Sequence, residues 1–322
     1  MEIHQLRYFV AVAEEGNFSR AAARVRVAQP SLSQQIQKLE AEVGQRLFDR
    51  LPRTVVLTEA GQRFLGFAQK ILTGIADAKR CLDECDGEVI GRLAIGAIPT
   101  IAPYILPRLL QEFRKSHPRV TVEVVEDVTE HLARGMEDGD LDLALVSTCR
   151  AGPNVHRQPL GKEPLLVALP ARHRLAQRAG IAWRDLKPEK FLVLHEMHCL
   201  SRQVARLCTA HAVRPEVVLQ GAQLCTVVGL VAAGLGVSLV PQMMVRHEKE
   251  SGCVFLPLAG TAPERELNWI RNPQRYQSKA SAALTECAAS LLARGAAQGE
   301  GGRPDFATNA RTDKSGDSHN PI

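Results

Sequence analysis

Residues 18–50 read FSRAAARVRVAQPSLSQQIQKLEAEVGQRLFDR. Ser19 is placed to cap a short helix through Val25, and a three-residue break follows. Pro30 then falls in the first turn of a second helix, where its missing N–H costs nothing. Leu32, Ile36, Leu39 and Val43 make one apolar stripe of that helix, which leaves Ser31, Gln34, Gln35 and Lys38 on the other side. Two short helices about a tight turn, the second with small polar residues facing outwards, fit a DNA major groove about 12 Å wide. Arg20, Arg24, Arg26, Lys38, Arg46, Arg50 and Arg53 stand against Glu40, Glu42 and Asp49, so this stretch concentrates the positive charge that phosphate contacts need.

The same reading extends in both directions. Upstream, Leu6, Phe9, Val10 and Ala13 fall at helical spacing. Downstream, RLFDRLPRTVVLTEAG reads as a tight loop and a short strand pair. Thr58 can cap a long helix on which Phe64, Ala68, Ile71, Ile75, Ala78, Leu82 and Cys85 alternate steps of four and three. That is a heptad seam, which a helix lying on its own domain would not need, so the expectation is a dimerising linker ending near Asp86 and Gly87. From Gly91 the pattern becomes α/β. Strands are expected at 93–98, 120–125, 141–146, 165–169, 191–194, 237–240 and 267–270, with helices such as 106–116 and 226–233 between many of them. After Arg294 the chain turns polar and Gly-rich, and a disordered tail is expected over 295–322.

The chain has 322 residues, of which 45% are hydrophobic, enough for several domains with cores of their own. A net charge of +5 excludes a wholly basic binder and leaves room for a local basic surface. No apolar run reaches the roughly 18 residues of a membrane span, and Glu14 and Glu15 stand where a signal peptide would carry its cleavage region. A soluble, cytoplasmic protein without membrane association is expected. The eight cysteines show no paired zinc spacing, so no metal and no cofactor is expected. Cys81, Cys85, Cys149, Cys225, Cys253 and Cys287 read as structural, mostly buried thiols, and a cytosolic disulfide would be transient.

In LHEMHCLSRQVARLC, residues 194–208, His198 directly precedes Cys199, and Cys208 follows nine positions on. On one regular α-helix those Cα atoms would lie roughly 13 Å apart on opposite faces. A disulfide needs about 4.4 to 6.8 Å, so the two sulfurs could join only if the intervening turns unwound or were never helical. A cysteine at a helix N-terminus or beside a cation reacts as thiolate, and its sulfenic acid is trapped by a second thiol. Two unrelated buried residues would satisfy the spacing as well.

Residues 18–50 followed by LTEAG closely resemble the winged helix-turn-helix of LysR-type transcriptional regulators. The resemblance implies a winged helix-turn-helix over 1–58, a dimerising linker helix over 59–87 and a two-lobed effector domain over 91–294, α/β in class and like a periplasmic binding protein. Lobe I would take about 91–161 and 267–294, and lobe II about 162–266. It also implies a homodimer or homotetramer on double-stranded promoter DNA, with RNA polymerase as a partner. Gln29, Ser31, Ser33 and Gln34 would enter the groove while Arg20, Arg50 and Arg53 hold the backbone.

Within that family, His-Cys-Leu with a second Cys nine positions after the first resembles the peroxide-sensing, OxyR-like branch. By that resemblance Cys199 would react with peroxide and Cys208 would resolve it. Thr100, Thr129, His198 and Arg265 would form the peroxide pocket, with Ala233 near it. The branch usually continues with Arg-Asp, whereas here Ser201 and Arg202 follow, which changes the local charge. The expected function is thus a non-enzymatic regulator that hydrogen peroxide activates through a reversible Cys199–Cys208 disulfide, controlling oxidative-stress genes. The rival within the family is a regulator of a metabolic operon, with a small organic anion between the lobes and Thr100 near a helix N-terminus to receive it. A cysteine-dependent peroxidase with His198 as base is weaker, because no third orienting group is evident and the DNA-binding head would be unexplained.

Overall fold

In the computed structural model the described residues are 1–51, 54–84, 88–147, 155–213, 216–221, 223–245, 247 and 252–299, without side-chain detail at 216–221 and 295–299. The chain opens with three helices, α1 (Ile3–Glu15), α2 (Phe18–Arg24) and α3 (Gln29–Val43). Asn17, and not Ser19, caps α2: its Oδ1 accepts from the backbone N–H groups of Ser19 (2.8 Å) and Arg20 (3.0 Å). Asn and Ser are equally good caps, so the tie fell to whichever residue sat one place before the helix. Pro30 occupies the first turn of α3 as expected, and Leu32, Ile36 and Leu39 turn inwards onto Leu6, Phe9, Val12 and Ala21.

The wing is an antiparallel pair, β1 (Phe48–Arg50) and β2 (Val55–Leu57), with Phe48 opposite Leu57. A long helix, α4 (Glu59–Asp83), follows; Thr58 Oγ1 accepts from Gly61 N at 3.0 Å and caps it. A Cβ on Gly61 would lie 2.1 Å from the Leu47 carbonyl oxygen, so only glycine lets α4 approach the wing this closely. Phe64 meets Phe9 edge-on at 5.1 Å and roots α4 in the head. Further along, Phe67 (66% exposed), Ile71 and Leu82 (72%) leave an apolar face uncovered within this single chain.

Next come β3 (Gly91–Ala97), α5 (Ala102–Ser116), β4 (Val120–Glu126), α6 (Thr129–Asp138), β5 (Leu143–Ser147) and a long β6 (His156–Pro170). They are followed by β7 (Lys190–Leu194), α7 (Cys199–Ala210), β8 (Glu216–Gly221), α8 (Leu224–Ala232), β9 (Ser238–Pro241), α9 (Gln242–Val245) and β10 (Cys253–Pro257). Last are β11 (Glu264–Arg271) and α10 (Lys279–Gly299). α5 begins before residue 106, because Pro103 is accommodated in its first turn. α10 runs past Arg294 to Gly299, so helix occupies the start of the expected tail; residues from 300 onwards lie outside the described set.

β3 pairs in parallel with β4 and β5, as crossover helices require, while β11 runs antiparallel to β5 and β6. β6 also pairs antiparallel with β9 and β10, and β7 with β8 in parallel. The long strand β6 therefore runs between two cores, with Leu160 against one and Leu165–Leu169 in the other, while the buried apolar residues of β11 belong to the first. One gathers Leu93, Ile95, Leu109, Phe113, Met136 and Trp269; the other gathers Leu165, Val167, Phe191, Leu200, Val227 and Leu239.

Candidate functional site

Two helix N-termini meet across the two cores. Thr129 is the first residue of α6 and Cys199 the first of α7, both buried, and Thr129 Oγ1 lies 3.2 Å from Cys199 Sγ. The unpaired N–H groups and dipole of a helix N-terminus favour negative charge, so a thiolate at this position gains from its own helix. His198 precedes it at the N-cap, with extended backbone (φ −80°, ψ 133°). Arg202, one turn on, places Nη2 3.7 Å from Cys199 Sγ and 2.8 Å from Glu130 Oε1 on α6.

The other two expected pocket residues form a second contact. Arg265, fully buried on β11, donates from Nη1 to Thr100 Oγ1 and from Nη2 to the Thr100 carbonyl, each at 2.9 Å. Its Nε donates to Glu163 Oε1 at 2.5 Å, and Glu163 Oε2 accepts from Met243 N at 2.9 Å. Burial pushes the Arg265 guanidinium below its ordinary range and the Glu163 charge opposes that fall. Thr100 is thereby fixed by an ion pair whose acidic half, Glu163, the sequence did not single out. Its signal appears only once β6 and β11 are aligned, where Arg265 stands opposite Glu163. Ala233, expected nearby, is exposed at the end of α8.

α7 is helical from Cys199 to Ala210, so Cys199 and Cys208 lie on one unbroken helix, the case in which their sulfurs are held apart. Cys208 is a free thiol buried against Leu200, Val204 and Val213, and burial raises its pKa above the ordinary thiol value. Cys199 itself is disulfide-bonded. Cys81 and Cys225 are exposed, contrary to the expectation of mostly buried thiols, while Cys253 and Cys287 are half-buried. Cys85 and Cys149 lie outside the described residues.

On the head, Gln29, Ser31 and Gln34 are exposed on α3, and Ser33 is half-buried. Arg50 reaches back from the wing, with Nη1 3.4 Å from Ser33 Oγ and its guanidinium 4.7 Å above the Phe18 ring centre. Arg20 folds onto Glu15, donating to its carbonyl oxygen with Nε 3.6 Å from its carboxylate. Arg53 lies outside the described residues. Among the described residues, no cluster of three His, Cys, Asp or Glu could hold a metal ion, and no helix is long and apolar enough to cross a membrane.

Comparison with known proteins agrees with this arrangement. Residues 3–62 match the bacterial regulatory helix-turn-helix of the LysR family, and residues 86–293 match the LysR substrate-binding domain. The chain is 33% identical over 288 residues to the DNA-binding transcriptional dual regulator OxyR of Escherichia coli K12, covering 88% of this chain and 94% of that protein. A probable RuBisCO transcriptional regulator of Synechocystis is 32% identical over 289 residues, covering 88% and 84%. Among solved structures, a full-length OxyR variant of Pseudomonas aeruginosa superposes with a TM-score of 0.75 at 29% identity, covering 89% of this chain and 94% of that one. The two matches flank the long helix α4 and the relatives cover most of the chain, and the chain belongs to the LysR family of transcriptional regulators.

Proposed function

We propose that this regulator senses hydrogen peroxide at Cys199 and passes the signal to promoter DNA. The observation that carries the reading is the contact of Cys199 Sγ with Thr129 Oγ1, which puts a cysteine at the start of one helix against a hydroxyl at the start of another. The Cys199 thiolate attacks one peroxide oxygen: an S–O bond forms, the O–O bond breaks, and the leaving hydroxide takes a proton to become water. Sulfur is oxidised by two electrons and peroxide is reduced. The Cys208 thiolate then attacks the sulfenic sulfur, forming S–S and releasing the second oxygen as water. Closing that bond requires α7 to unwind, since the two Cα atoms of a regular helix at this spacing stay roughly 13 Å apart. The refolding alters how lobes and subunits pack, and so how the heads are spaced on DNA.

The same reading places a cytoplasmic homotetramer on the promoter beside RNA polymerase, with no enzymatic turnover. Thr100, Thr129, His198 and Arg265 position the peroxide; Gln29, Ser31, Ser33 and Gln34 meet bases, while Arg20, Arg50 and Arg53 meet phosphates. An organic anion is the poorer effector, because the buried Arg265 charge already answers Glu163.

A peptide map of the reduced protein before and after a few equivalents of peroxide tests the proposal, run beside binding to its upstream DNA. A Cys199–Cys208 peptide, absent from Cys199→Ser, is expected. Unchanged thiols, or a Cys199→Ser protein whose DNA binding responds like the parent, would overturn peroxide sensing. A link from Cys199 to any other cysteine would overturn the pairing alone.

A further inference from the structure

We infer that Arg202 is the cation that holds Cys199 as a thiolate, and that Glu130 competes for it across the lobes. The inference deepens the peroxide reading and rests on it only for its consequence, the rate of oxidation. Position 202 lies three residues after Cys199, so on α7 the two side chains share a face. Arg202 Nη2 stands 3.7 Å from Cys199 Sγ, within the range where an opposite charge favours the ionised form. The same nitrogen donates to Glu130 Oε1 at 2.8 Å. Glu130 follows Thr129, so two consecutive residues of α6 grip both the sulfur and the cation beside it.

Two neighbouring basic side chains are engaged elsewhere, and a histidine precedes the sulfur in the chain. His131 on α6 pairs with Asp127 at 3.0 Å, Arg265 is spent on Glu163 and Thr100, and His198 precedes the sulfur at the N-cap. Arg202 is therefore the guanidinium that answers a thiolate here, in place of the Arg-Asp pair that usually follows His-Cys-Leu in the resembling branch. Its Glu130 contact is partly exposed (38% and 50%), so water and salt weaken it, and the side chain can lean towards either partner. Ionisation of the thiol draws Arg202 from Glu130 towards the sulfur. Once oxidation consumes the thiolate, Arg202 returns to Glu130.

The test uses the full-length protein, reduced so that the disulfide at Cys199 is open, and then freed of reductant under argon. Alkylation of Cys199 by iodoacetamide is followed by mass spectrometry as a function of pH in the parent, Arg202→Gln, Arg202→Lys and Glu130→Gln. In Arg202→Gln the midpoint should rise by about one pH unit and Lys should restore most of it; in Glu130→Gln the midpoint should fall. Peroxide oxidation near neutral pH should slow about fivefold in Arg202→Gln and quicken in Glu130→Gln. An unchanged midpoint in Arg202→Gln would overturn the inference, as would shifts of the same sign in Arg202→Gln and Glu130→Gln, which a purely structural bridge would give. Shifted midpoints in a protein whose Cys199 ignores peroxide would leave Arg202 assigned and remove the peroxide reading instead.

Discussion

The junction of α4 with the sheet of β3 and β5 and the contact of α6 with α7 beside Cys199 both use arginine between distant elements, and they are built to opposite standards. At the junction, Arg275 donates from Nε to Asp77 Oδ2 (3.1 Å), from Nη2 to Asp77 Oδ1 (2.9 Å) and from Nη1 to the Gly139 and Leu141 carbonyls (3.1 and 3.0 Å). Arg80 bridges Asp77 at 2.5 Å and Asp142 at 2.7 Å, and Asp142 Oδ2 accepts from Ala94 N at 2.9 Å. Glu84 accepts from Tyr276 Oη and Lys279 N, each at 2.8 Å. Beside Cys199, the contacts of α6 with α7 include a partly exposed ion pair and a sulfur contact. A buried, multiply bonded charge is costly to disturb, whereas an exposed pair is worth little. The α4 junction is thus tied by buried, multiply bonded charges, whereas the charge contact between α6 and α7 is a partly exposed ion pair.

The largest effect that comparison predicts is at Arg275. Arg275→Met leaves the buried Asp77 carboxylate with Arg80 and the Tyr276 N–H and should cost about 4 kcal/mol in urea unfolding; a loss below about 1 kcal/mol would break the contrast. Leu200→Ala removes buried apolar contact from α7 and should cost about 3 kcal/mol. It should also quicken disulfide closure at Cys199 in stopped-flow quenching, and slower closure would contradict a packing-held α7.

A smaller effect is set by pH. Burial alone would raise the Asp77 pKa, but hydrogen bonds and charge from Arg275 and Arg80 outweigh it and hold the carboxyl below its ordinary value. A depressed carboxylate contributes stability above its unfolded pKa and loses that contribution as pH falls through the folded one. The gap in melting temperature between parent and Asp77→Asn should therefore close as pH drops below about 4. Smallest of all, Glu130→Ala should cost under about 1 kcal/mol, and less in high salt. A large, salt-insensitive loss there would place this contact in the same class as the junction.

Much of the architecture was legible locally. The α3 stripe, Pro30 in its first turn, Thr58 as the cap of α4 and the strands β3, β4, β5 and β7, with the end of β6 at 165–169, follow from short-range periodicity and capping chemistry. The strands β8 and β10 and the first part of β6 went unread; Pro159 and Gly161 break up the β6 segment, which is held in the sheet by its pairing with β11. Cys199, Thr129, Thr100 and Arg265 were named as candidates, and two contacts bring them together in pairs. Glu163, Glu130 and Asp77 were not named, since a lone acidic residue carries no local sign of the arginine it will meet.

What the sequence determined by itself was the order of parts, the apolar stripe of α3 and the reactive residue types, which depend on neighbours within a turn or two. Only the tertiary structure decided which charges are spent and which are free. Arg265 is locked on Glu163, Arg275 on Asp77, and Arg202 stands between Glu130 and the sulfur. Pairs separated by scores of residues are chosen by how strands and helices pack, and their strength is set by burial, neither of which is written in local spacing.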